Sequence, residues 1–106
     1  MKKTTYISAA IRPYNTTYRV RWISPDGQDC LLGGSNTLKH AVDIGVEQAQ
    51  ELLENPFETD ERKLLFLENM YIEDTRTGEA IVTDLDDFVD GMMSEIDARI
   101  KMRNRN

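Results

Sequence analysis

The chain has 106 residues, the length of one small domain, with 40% hydrophobic residues, 30% charged residues and a net charge of −6. This composition is typical of a soluble globular fold and excludes extensive disorder, and no apolar run approaches the roughly 20 residues of a membrane-spanning helix. Because Cys30 is the only cysteine in the sequence, no internal disulfide can form. We therefore expect one cytoplasmic domain over residues 1–106.

Charge is unevenly distributed along the chain. Residues 1–22 carry +5 and residues 99–106 carry +4, whereas residues 23–98 hold all nineteen acids and carry −15. Segregation of this kind can mark interaction faces, and it can also follow from the electrostatics of helices.

Three short strands are predicted at the start of the chain, over residues 5–12, 18–24 and 29–32. Hydrophobic residues alternate in the first two, as in strands with one buried face, and the third is short and apolar. Turn-forming residues separate them at Pro13–Thr16 and Pro25–Gln28. Because connections this short cannot carry a parallel crossover, we predict an antiparallel meander.

A helix is predicted from Thr37 to Glu54, with Asn36 or Ser35 as its N-cap. Its apolar face comprises Leu38, Ala41, Val42, Gly45, Ala49, Leu52 and Leu53. Residues 57–69 fit either a short helix or the approach to a strand, and we favour the helix. A β-hairpin then follows, with strands at 70–74 and 79–83 around Gly78.

The last predicted helix runs from Asp84 to Lys101 and is capped by Thr83. Its apolar stripe comprises Leu85, Phe88, Val89, Met92, Ile96 and Ile100. Residues 102–106 are expected to form a frayed tail. Together the elements predict a single α+β domain whose helices pack on one face of a mostly antiparallel sheet.

Residue types that carry catalysis are scarce. Cys30 falls in an apolar strand, and His40 points away from the apolar face of its helix, so a catalytic pair is not indicated. The acids of 84–90 lack the ligand spacing of a calcium loop, and the helix dipole explains those in the first turn. Residues 33–35 lack the lysine of a phosphate-binding loop. We expect no enzymatic activity, no metal and no cofactor.

The stretch from Thr17 to Ser24 interleaves arginines with aromatic residues, a pattern typical of nucleic-acid-binding surfaces. Side chains of a strand alternate between its two faces, so Tyr18, Val20 and Trp22 are expected in the core. Arg19 and Arg21 then lie with Arg12 on the opposite face. This modest basic face could meet phosphates, which makes nucleic-acid binding the alternative function.

A protein partner is the favoured interpretation. The far face of the first long helix carries His40, Ile44, Glu47 and Glu51, an apolar residue flanked by acids, and the last helix adds Asp87 and Asp90. We predict a small, acidic, non-catalytic binding or regulatory protein that acts through a macromolecular partner. One version inhibits a nucleic-acid-binding enzyme by presenting acidic faces to it. The sequence does not indicate an oligomeric state.

Overall fold

A computed structural model of the chain describes residues 16–105. Its elements are β1 (Tyr18–Ile23), β2 (Asp29–Ser35), α1 (Leu38–Glu54), α2 (Asp60–Glu68), β3 (Met70–Asp74), β4 (Glu79–Ile81) and α3 (Asp84–Asn104). The α+β class is confirmed, and the ambiguous region before β3 is the short helix α2, as favoured. The predicted strand over residues 5–12 lies outside the described residues.

The four strands form one antiparallel sheet in the order β2-β1-β3-β4. β1 is central, with its hairpin partner β2 on one side and β3 on the other, where Val20 lies opposite Ile72. Both tight turns place a glycine at positive φ, Gly27 between β1 and β2 and Gly78 between β3 and β4. The hairpin predicted around Gly78 is therefore confirmed.

The two faces of β1 differ as predicted from its alternation. Val20 is fully buried, and Tyr18 and Trp22 pack against the core. The Trp22 ring lies 4.6 Å from the ring of Phe66 in α2, measured between centroids. The aromatic residues of this strand are thus part of the inner wall of the sheet.

The start of α1 differs from the prediction, because Thr37 is the N-cap rather than Asn36 or Ser35. The Thr37 hydroxyl accepts the backbone N–H of His40 at 3.3 Å. The Asn36 side chain instead accepts the N–H of Thr17 at 3.0 Å, and the Ser35 hydroxyl accepts the N–H of Thr37 at 3.2 Å. The two predicted caps are therefore engaged in closing the loop that precedes the helix.

The helices cover one face of the sheet. α1 packs on β1, β2 and β3, and α3 packs beside α1 and α2. The buried core residues are Val20, Ala41, Ala49, Leu52, Leu67, Met70, Ile72, Leu85, Val89, Met92 and Ile96. α1 and α3 approach closely at Gly45, where an added Cβ would lie 2.6 Å from Cδ2 of Leu85. Both predicted apolar stripes therefore face the core, except for Leu38, which is 38% exposed.

α3 continues to Asn104, through residues for which the sequence indicated a frayed tail. Ion pairs with the start of α2 hold these last turns. Arg103 contacts Glu61 at 2.9 Å and Asp60 at 3.5 Å, and Arg99 contacts Asp60 at 3.4 Å. The basic end of α3 is thus joined to acids of α2.

Candidate functional site

A cleft of about 500 Å³ opens between the second half of α1 and the middle of α3, and we call it the central cleft. It is lined by Gln50, Leu53, Glu54, Asp87, Phe88, Gly91, Met92 and Glu95. Met92 is buried, and Leu53 and Phe88 are half-buried, so these three side chains form an apolar floor. Glu54 and Asp87, both exposed, lie at the rim.

Two further clefts lie along α3, one against the start of α1 and the other against the start of α2. The start cleft, about 530 Å³, is lined by Leu38, Lys39, Val42, Asp43, Val82, Thr83 and Asp84. The end cleft, about 520 Å³, is lined by Asp60, Glu95, Ala98, Arg99, Met102 and Arg103. Glu95 lines both the central and the end cleft, so the two clefts are neighbours along α3.

The central cleft is strongly acidic. Its lining includes the carboxylates of Glu54, Asp87 and Glu95 and, among the described residues, no cation. The lysine of the start cleft, Lys39, is paired with Asp43 at 3.3 Å. The arginines of the end cleft are engaged by acids of α2, as described above. The combined surface is therefore negative, and its charge is concentrated around the apolar floor.

The six residues predicted for a protein-binding face do not lie together. Asp87 lines the central cleft. Asp90, Glu47 and Glu51 are exposed, but none of them lines this cleft. The acids of the two helices thus belong to more than one surface.

The remaining two of the six lie against β2. Nδ1 of His40 is 3.0 Å from the hydroxyl oxygen of Ser35. Ile44 is half-buried and covers Gly33, where an added Cβ would be 3.0 Å from Cγ2 of Ile44. Ile44, the apolar residue flanked by acids in the sequence, therefore packs over a glycine of β2.

Arg21, one of the two arginines of β1, is already paired. Arg21 contacts Glu73 at 3.0 Å and Asp29 at 3.2 Å. Burial alone would lower the pKa of Arg21, but the hydrogen bond to Glu73 and the charge of Asp29 outweigh it, and the pKa is raised. Arg19 is half-buried, and Arg12 lies outside the described residues. The charge of Arg21 is thus locally neutralised.

The candidate reactive groups lie apart from one another. Sγ of Cys30 is half-buried and 3.8 Å from the carbonyl oxygen of Gln28, whereas the contact of His40 is with Ser35. Within residues 16–105, no group of three or more histidine, cysteine or acidic residues is placed to hold a metal ion. Within the same range, no helix has both the length and the apolar character needed to cross a membrane.

Comparisons of the chain with protein-family models, with curated proteins and with solved structures found no match. The function must therefore be argued from the clefts themselves.

Sequence reasoning missed the residues that build the central cleft with Asp87, in particular Leu53, Phe88 and Glu95. Leu53 and Phe88 were assigned to apolar stripes, and how far each stripe is covered depends on how the helices pack. Gly91 could have indicated the site from the sequence, because glycine is disfavoured inside a helix and its presence there calls for a reason. An added Cβ at Gly91 meets nothing within 4 Å, so the packing of the described residues does not require a glycine there.

Proposed function

We propose that this chain is a small, non-catalytic binding protein of the cytoplasm that acts through a protein partner with a basic surface. The observation that carries the proposal is the central cleft, an apolar floor with carboxylates of two helices around it. Glu54 comes from the last turn of α1 and Asp87 from the first turn of α3. Packing of the two helices therefore concentrates negative charge that is dispersed in the sequence.

Apolar and charged groups have different roles at such a surface. The floor of Leu53, Phe88 and Met92 offers apolar area that a partner side chain can cover, which is the main source of affinity. The carboxylates favour a partner with lysine or arginine beside that side chain and disfavour acidic competitors. The charge of −15 over residues 23–98 adds long-range attraction for a basic partner.

A regulatory role is consistent with this chemistry. Enzymes that bind nucleic acids use lysine and arginine to contact phosphates. A protein that covers such a basic surface competes with the nucleic acid for it. The proposed partner class therefore includes nucleic-acid-binding enzymes, which the chain would inhibit.

Direct nucleic-acid binding through Arg12, Arg19 and Arg21 has less support. Arg21 is held between Glu73 and Asp29, so its charge is offset before a phosphate arrives. Phosphate contact at this position would require replacing two ion pairs.

The proposal is tested by capturing partners from nuclease-treated source lysate with two matched double variants. Glu54→Lys with Asp87→Lys reverses charge in the central cleft. Glu47→Lys with Glu51→Lys makes the same change of net charge on the exposed face of α1. We expect the cleft variant alone to lose the captured protein, with circular dichroism showing that both variants remain folded.

Three other outcomes count against the central cleft. Equal loss in both variants means that net charge governs capture, and loss in the α1 variant alone assigns binding to the face that includes Glu47 and Glu51. Retention by both variants means that neither surface is used. Filter retention of a DNA or RNA probe by the purified protein, lost on Arg19→Ala with Arg21→Ala, would favour the alternative function.

A further inference from the structure

One side of α3 carries a regular series of residues, Phe88, Gly91, Glu95, Ala98 and Met102, which we call the α3 stripe. Successive members are three or four residues apart, so they share one side of the helix over about 21 Å. The first three line the central cleft, and the last three line the end cleft. All are exposed except Phe88, which is half-buried. This is the spacing by which one helix receives another.

The stripe alternates between larger and small side chains. Gly91 lies between Phe88 and Glu95, and Ala98 lies between Glu95 and Met102. Space around Gly91 is open, and Met102 is 62% exposed. The small residues therefore leave two hollows between three projecting side chains. Hollows of this kind accept side chains from a facing helix.

We propose that the α3 stripe binds one amphipathic α-helix of the partner protein, and this inference rests on the proposed function. Apolar side chains of that helix enter the hollows at Gly91 and Ala98. A lysine or arginine of the same helix contacts Glu95. Further basic residues lie toward the start of α3, where Glu54 and Asp87 are exposed.

Charge distinguishes this occupant from a second copy of the chain. If two α3 stripes packed antiparallel about their centres, Glu95 would face its own equivalent without an opposite charge from the stripe. In this arrangement the central cleft of each copy would face the end cleft of the other, where Arg99 and Arg103 are already paired with Asp60 and Glu61. A basic helix supplies the cation that Glu95 lacks in such a pair, and an acidic nucleic-acid backbone does not.

The direct test uses a fluorescein-labelled peptide of about 18 residues, long enough to be helical when bound. It contains leucine, lysine and alanine, with leucine at heptad spacing on one side. A second peptide has the same composition in an order that disperses leucine around the helix. We expect anisotropy to show at least about tenfold tighter binding of the first, and circular dichroism to show helix gained on binding.

Matched variants locate the binding surface. Gly91→Leu with Ala98→Leu fills both hollows, and we expect it to weaken binding of the amphipathic peptide at least about tenfold. Ser94→Leu adds the same side chain at an exposed position of α3 outside the stripe and should leave binding unchanged. Equal binding of the two peptides, or an unchanged affinity after filling the hollows, overturns the inference.

Zero-length cross-linking of carboxylates to amines identifies the occupant. A link from Glu95 to a lysine of the amphipathic peptide supports the inference. Links from Glu95 to Lys2 or Lys3 of the same chain, or to a second copy, that persist with saturating peptide overturn it.

Failure of this inference differs from failure of the proposed function. Suppose that Gly91→Leu with Ala98→Leu still captures a partner that Glu54→Lys with Asp87→Lys loses. The inference about the α3 stripe is then wrong, and the central cleft remains the proposed binding surface. If Glu54→Lys with Asp87→Lys captures the same partner as the wild-type protein, the central cleft is not the binding surface and the proposed function fails with it.

Discussion

Nζ of Lys63 in α2 donates a hydrogen bond of 2.7 Å to the carbonyl oxygen of Leu53 in the last turn of α1. Lys63 is only 6% exposed, and the last turn of α1 contains no basic residue of its own. Carbonyl groups at the end of a helix lack partners within the helix, and a cation there is favourable. Lys63 therefore joins the two helices beside the residues that form the central cleft.

Lys63→Met should destabilise the fold, because it removes this bond while keeping a side chain of similar length. We expect a loss of about 1.5–3 kcal/mol in the free energy of unfolding, the range for hydrogen bonds to charged groups. Urea denaturation measures it. Lys39→Met removes an exposed i,i+4 ion pair and should change stability by less than about 0.5 kcal/mol. Equal midpoints for the two variants would contradict the role of Lys63.

Two helical glycines should respond oppositely to alanine. Gly45→Ala places a Cβ 2.6 Å from Cδ2 of Leu85, which is 1% exposed and has little room to move. We expect a net destabilisation of about 1 kcal/mol, since the overlap outweighs the gain in helix propensity. Gly91→Ala meets no neighbour within 4 Å and should stabilise α3 by up to about 1 kcal/mol. Thermal unfolding of both variants is the measurement, and stabilisation by Gly45→Ala would show that close packing at Gly45 is unimportant.

The features predicted correctly from the sequence depend on nearby residues. Alternation within β1 was sufficient to assign Tyr18, Val20 and Trp22 to the core side, and Gly78 marked the turn of its hairpin. The pairing of β1 with β3 joins strands separated by two helices, and no local pattern specifies it. Even the cap of α1 depended on a distant contact, between Asn36 and Thr17.

The candidate site could be predicted only in part for the same reason. Asp87 was identified as an exposed acid, but Glu54 joins it only because α1 and α3 lie side by side. Ile44 was predicted on the exposed face of α1, because the periodicity of a helix does not reveal that Gly33 of β2 lies beneath it. Composition supplied the acidity, and packing of the helices determined where it is concentrated.

Asp60→Asn should loosen the end of α3. Asp60 contacts both Arg99 and Arg103, and its own side chain is 18% exposed. Because these are partly exposed ion pairs, we expect a loss of global stability of no more than about 1 kcal/mol. Amide hydrogen exchange over residues 100–104 should become faster, while exchange in the middle of α3 is unchanged. Unchanged protection of the last turns would mean that the ion pairs do not hold them.

Asp74 should make stability depend on pH in the acid range. Its pKa is lowered because the side chain and backbone N–H of Arg76 donate hydrogen bonds to the carboxylate. A lowered pKa stabilises the fold above the unfolded value of about 3.9, and this contribution is lost as pH falls through the folded value. Arg76→Gln should raise the pKa of Asp74 and reduce stability near neutral pH, with the difference from wild type shrinking below about pH 4.

Carboxyl NMR titration and urea denaturation from pH 2 to 7 test this dependence. Arg62→Gln is the matched control, since the hydrogen bond of Arg62 is with Glu58 at 2.6 Å and its removal should leave Asp74 unaffected. A pKa of Asp74 that does not change in Arg76→Gln would contradict the assignment.

Arg21 and Glu73 should show a measurable coupling in a double-mutant cycle. Their side chains are 22% and 21% exposed, so the 3.0 Å contact is less screened by water than a surface pair. Arg21→Met removes the cation that contacts both Glu73 and Asp29, and we expect a loss of about 1–2 kcal/mol. Glu73→Gln removes the same pair from the other side. In the double variant the loss should be smaller than the sum by about 0.5–1.5 kcal/mol, because the second substitution has no pair left to break. The exposed pair of Lys39 and Asp43 provides the control cycle and should give a coupling near zero; additive losses at Arg21 and Glu73 would mean that Arg21 is not committed to this pair.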